Sequence, residues 1–122
     1  PKDHPLSSKD SVSLADVNHE NFVLSSDGLD YETGKIFELN HIKPKIRYRL
    51  NEDFATLKMV EQGFGITILP KLLLRNAPFD VCIREFSEHY SRVLGVAYHK
   101  DTPPTLAILK LLDYIKYVFP TD

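Results

Sequence analysis

Residues Phe54 to Leu74 read FATLKMVEQGFGITILPKLLL. Phe54, Leu57, Met59 and Val60 give the first part an apolar helical face. Gly63 fits the left-handed position that closes a helix. Ile66 to Leu69 is a continuous apolar run, as in a strand covered on both sides. Pro70 suits the first position of a new helix. The stretch is therefore one helix–strand–helix step of an α/β sheet. Gly63-Phe64-Gly65 is not a dinucleotide fingerprint, because that fingerprint follows a strand and opens a helix. Here the glycines follow a helix, open a strand and lack a third member.

The same alternation runs along the chain. Leu14 to Val17 suits a helical turn and Phe22-Val23-Leu24 a short strand, stopped by Ser25-Ser26-Asp27-Gly28. Leu29 to about His41 has helical periodicity, interrupted weakly at Gly34 and ended by Pro44. Lys45 to Leu50 alternates charged and apolar residues, which predicts a strand with one buried face. Asn51-Glu52-Asp53 supplies capping oxygens and two negative charges to a helix first turn. Asp80 to Phe86 and Arg92 to His99 read as two more strands. Thr102 caps, and Pro103-Pro104 open, a final helix. Strands alternating with helices predict an α/β fold with a mixed, mainly parallel sheet flanked by helices.

Length and composition agree. The 122 residues suit one domain, and 43% hydrophobic with 26% charged residues predicts a folded core. The net charge is −2, with no basic stripe, so no nucleic-acid footprint or membrane patch stands out. The apolar runs are too short to span a bilayer, and no signal peptide is visible. Cys82, flanked by Val81 and Ile83, reads as a buried strand thiol. Pro1 stands first without an initiating Met, so the chain is expected to be part of something longer.

Little suggests catalysis or metal binding. The histidines at 4, 19, 41, 89 and 99 do not pair at metal-ligand spacing. No nucleophile elbow or P-loop occurs, and neighbouring Glu88, His89 and Ser91 are not a triad by adjacency. Two loops remain, each between a strand's carboxyl end and a helix start, where α/β sheets bind ligands. Ser25, Ser26, Asp27 and Gly28 could hold an anion. Asn51, Glu52 and Asp53 would repel one and favour a polar or cationic group. Plain helix capping is the alternative for both.

The chain resembles the effector-binding domain of LysR-type transcriptional regulators. The resemblance is carried, in order, by Lys2-Asp3-His4-Pro5-Leu6, by Leu14 to Val17 with Phe22 to Leu24, by Asp53 to Pro70, and by Arg92 to Lys100 with the helix after Pro104. It implies one lobe of a periplasmic-binding-protein-like (type 2) fold. Residues 1–100 would be the second lobe with its hinge strands, and residues 101–122 a C-terminal helix returning to a first lobe.

It further implies a small-molecule effector in an interlobe cleft, no enzymatic activity and no cofactor. DNA would be bound only through a helix-turn-helix domain outside this chain, in the cytoplasm. Carried over by position, the effector-binding residues are Ser25, Ser26, Asp27, Asn51, Glu52, Asp53, Ile66 and Thr67. Glu52 and Asp53 make the cleft more acidic than suits an aromatic acid or other anionic effector. The apolar stripe from Ile108 to Phe119 would lack its usual cover. It is expected to fold back or to bury itself against a second copy, giving a homodimer through this helix or a sheet edge. The competing reading is a lobe of a solute-binding protein of a transport system, which shares the fold. A small α/β enzyme comes third.

Overall fold

Two stretches of backbone touch where Gly65 passes Asn21, and the sheet is organised around that crossing. A computed structural model describes residues 1–25, 31–91, 93–99, 101 and 103–119, with the side chains of residues 31 and 32 left aside. In chain order the elements are β1 (Ser11–Val12), β2 (Asn21–Ser25), α1 (Tyr31–Leu39), β3 (Lys45–Leu50), α2 (Asp53–Glu61), α3 (Lys71–Leu74), β4 (Glu85–Phe86) and α4 (Leu106–Val118). Short 3-10 turns cover Pro5–Ser8 and Leu14–Val17. The chain divides into two units, Pro1–Tyr90 and Ser91–Asp122.

In the first unit every strand pairing is parallel, as the α/β pattern predicts. β1 pairs with β4, and β2 pairs with β3. A single bridge joins Phe22 of β2 to Ile66. Ile66 N–H donates to the Asn21 carbonyl, and Val23 N–H to the Ile66 carbonyl, both at 2.9 Å. A Cβ on Gly65 would stand 2.4 Å from the Asn21 oxygen and 2.9 Å from its carbonyl carbon, and Gly65 has φ +153°. Only glycine lets the two backbones come this close.

The core follows from this placement. Phe22 and Val23 are 0% exposed on adjacent positions of β2, so β2 is covered on both faces. Val12, Leu14, Val17, Phe22, Leu24 and Phe37 form one cluster, against which Ile66 and Ile68 pack. Phe22 and Phe37 meet edge to face, with ring centres 5.3 Å apart. That geometry adds about 0.5–1.5 kcal/mol to their burial. Thr56, Leu57 and Val60 of α2 are also buried.

Local chemistry closes the elements. Ser13 and Asp16 form a reciprocal capping box on the 3-10 turn Leu14–Val17. The Lys9 ammonium and the Ser13 donors hold the Asp16 carboxyl down at about 2. Past α2, Phe64 N–H donates to the Met59 carbonyl and Gly63 N–H to that of Val60. Gly63 has φ 81°, so this is a Schellman end with glycine where it was expected. α1 ends in the same pattern, through Ile42 to Phe37 and His41 to Glu38. There His41, at φ 55°, carries the left-handed position without the freedom of glycine.

Several expectations are corrected. Of Ile66 to Leu69, only Ile66 pairs; the bonds that bracket it have no successors in the run. β3 spans Lys45–Leu50 as expected but lacks a buried face, with Ile46 38% and Tyr48 42% exposed. A register slip sets Ile46 beside Phe22 but Tyr48 beside Val23. One extra residue in β3 splits its apolar alternation between two faces. Of Asp80 to Phe86, only β4 is strand, so Cys82 is half-buried in an unpaired stretch.

No strand forms over 93–99, where Val93 is 93% exposed and Leu94, Val96 and Tyr98 are exposed too. A strand is held by its ladder, and these residues have no ladder partner among the described residues. The cap of α4 is Thr105, which accepts the Ile108 N–H at 3.4 Å. The predicted cap, Thr102, lies outside the described residues, and Pro103-Pro104 precede the true cap. Pro70 is the N-cap of α3 rather than its first residue.

Gly65→Ala should lower the stability of the first unit by about 1–3 kcal/mol, the usual cost of forcing volume into a packed site. Urea unfolding followed by circular dichroism measures this, and a wild-type midpoint would show that the crossing relaxes freely.

Candidate functional site

Parallel strands β2 and β3 end side by side, with Ser25 in register with Leu50. Beyond Leu50 the chain makes a bend at Asn51 and enters α2 at Asp53. The carboxyl ends of two adjacent strands and the start of one helix thus form a single edge. Ligands of open α/β sheets bind at such edges.

Ser25 and Asp53, both half-buried, are joined there directly. The Ser25 hydroxyl donates a hydrogen bond to Asp53 Oδ1. Charge-assisted bonds of this kind are stronger than neutral ones. Asp53 also lies in the first turn of α2, where the helix dipole favours a negative charge.

Glu52 is the N-cap of α2. Its side chain accepts from the Phe54 N–H at 3.0 Å and the Ala55 N–H at 2.6 Å. Its carbonyl accepts both the N–H and the hydroxyl of Thr56, at 3.1 and 3.0 Å. Thr56 is 0% exposed and was not anticipated as part of this arrangement. Its spacing four residues after Glu52, on the helix side that also holds Val60, was the available signal.

The remaining expected residues separate. Asn51 is exposed at the bend. Ile66 packs against the core cluster. Its neighbour Thr67 has a buried hydroxyl without a hydrogen-bond partner among the described residues. Ile66 and Ile68, on either side of it, both pack on the cluster. Ser26 and Asp27 lie outside the described residues. Among the described residues, no group of three His, Cys, Asp or Glu side chains could hold a metal ion.

Comparison with known proteins agrees with this architecture. A family model described as the LysR substrate binding domain matches residues 1–120. An uncharacterized HTH-type transcriptional regulator of Bacillus subtilis (strain 168), YybE, is 33% identical over 102 residues, covering 82% of this chain and 35% of that protein. The chain spans 26% to 41% of the length of the curated relatives it matches.

Among solved structures, the Synechocystis PCC6803 CcmR regulatory domain in complex with 2-PG superimposes with a TM-score of 0.75 at 19% identity. That match covers 98% of this chain and 60% of the other. The effector binding domain of QuiR, in complex with shikimate, gives 0.67 at 25% identity over 93% of this chain and 55% of the other. The fold is therefore that of the periplasmic-binding-protein-like effector domains. The family match favours a regulator over a transport-associated solute-binding lobe.

A double-mutant cycle on Ser25→Ala and Asp53→Ala should give a coupling energy of about 1–2 kcal/mol in urea unfolding. Strictly additive effects would mean that the two side chains do not interact.

Proposed function

The chain belongs to the LysR substrate binding domain family, and from that premise we propose that it is the effector-sensing lobe of a transcriptional regulator. The observation that carries this is the Ser25–Asp53 hydrogen bond at the paired carboxyl ends of the sheet. It links the end of β2 to the start of α2, so a ligand that competes for either group shifts both elements. A small-molecule effector meets this edge, using Ser25 and Asp53 with their sequence neighbours Ser26, Asp27, Asn51 and Glu52, and reaches the unpartnered hydroxyl of Thr67. Ile66 supports the site from the core side.

The module works by binding rather than by catalysis. The CcmR and QuiR domains were each solved with a small molecule bound, which supports the same mode here. In the longer protein, effector binding alters how a separate helix-turn-helix segment engages DNA, as the regulator relatives suggest. Such a protein acts in the cytoplasm, where its DNA is. No helix of the described residues is long and apolar enough to cross a membrane.

The regulator self-associates as a homodimer. No residue of α4 is buried; Leu109 and Leu111 stand exposed on it, as does Phe119 just past its end. Apolar surface of this extent is normally covered by a partner. The edge of β3 is a second candidate, but the slip at Arg47 interrupts the regular ladder that self-pairing needs. That favours the helix.

The test is effector-dependent output from the target promoter in strains carrying Ser25→Ala or Asp53→Asn. Both should weaken the response to effector while basal promoter occupancy stays at the wild-type level. An unchanged dose response in both would remove this edge from effector binding.

A further inference from the structure

An α-helix that starts at a ligand site normally offers its free N–H groups to an anion. α2 does not. The N–H groups of its second and third residues, Phe54 and Ala55, are the pair an incoming anion would use, and both already point at the Glu52 carboxylate. The next N–H, that of Thr56, is spent on the Glu52 carbonyl. On the neighbouring side, the Ser25 hydroxyl proton is spent on Asp53. The sequence suggested that Glu52 and Asp53 keep anions away by repulsion. The geometry adds a second, stronger cause, because Glu52 fills the position itself.

We infer that Glu52 is a specificity-determining residue whose carboxylate occupies the anion position of α2 from within. It thereby bars a carboxylate or phosphate group of an effector from this helix start. Among the described residues, what stays available where β2 meets α2 is acceptor capacity, on Asp53 and on the lone pairs of Ser25. The effector group that meets this helix start is therefore a hydrogen-bond donor, a hydroxyl or an ammonium. The inference rests on the reading that effector meets this edge, but the occupancy of the helix start is tested separately.

Glycine is nearly as good a cap as a side-chain oxygen, so Glu52→Gly empties the position at little expense to the helix. The full 122-residue chain and this variant are titrated with sodium sulfate at constant ionic strength, following backbone amide resonances. In the variant, the Phe54 and Ala55 amides should shift saturably; in the wild type they should not move. Glu52→Gln serves if the glycine variant does not fold. Its single neutral acceptor oxygen leaves one of the two N–H groups free, and a smaller saturable shift is expected. Saturable shifts in the wild type, or none in the folded variant, overturn the proposal. No effector enters this measurement, so its failure leaves the effector reading standing. Loss of the effector reading in the promoter experiment likewise leaves the sulfate result intact.

Discussion

Ile66 can pair with Phe22 only because Gly65 has no Cβ. The Asn21 carbonyl sits where that Cβ would be, and it accepts the Ile66 N–H instead. This one approach fixes β2 between two neighbours, β3 and the Ile66 bridge. β2 packs against the Phe37 cluster and against α2. Most of the buried apolar side chains lie on β2 or pack around it.

α2 inherits its position from the same crossing. Its C-terminus turns through Gly63 into Phe64 and so delivers Gly65 to Asn21. Its N-terminus starts just past β3, whose last residue is level with Ser25. The helix is thus anchored at both ends to β2, through Ile66 at one end and through the Ser25–Asp53 bond at the other. An element held this way transmits a change at its start to the sheet. That is a reasonable property for a sensing lobe.

Local rules were legible in the sequence wherever one residue type satisfies one backbone need. Gly63 as helix stop and the start of α2 both follow from capping chemistry. The parallel α/β class followed from the order of elements. Legibility failed where pairing partners decide the outcome. Val93 to Tyr98 has strand composition but no ladder, and Ile66 to Leu69 keeps one bridge of a run. The slip in β3 is a register property, invisible in a clean alternation. At the site, Ser25 and Asp53 were both identified, but their bond was not, because 28 positions separate them. Gly65 reads in the sequence only as a glycine between a helix and a strand, whereas its role depends on a carbonyl 44 positions earlier, 65 minus 21.

Native-state hydrogen exchange tests the crossing most directly. If it holds the first unit together, the Val23 and Ile66 amides exchange only by global unfolding, with a free energy matching that from urea denaturation. Exchange of these two amides through a low-energy local opening, while Leu57 and Val60 of α2 stay protected, would contradict the account. It would mean that α2 and its core contacts, not the Gly65 approach, organise the lobe.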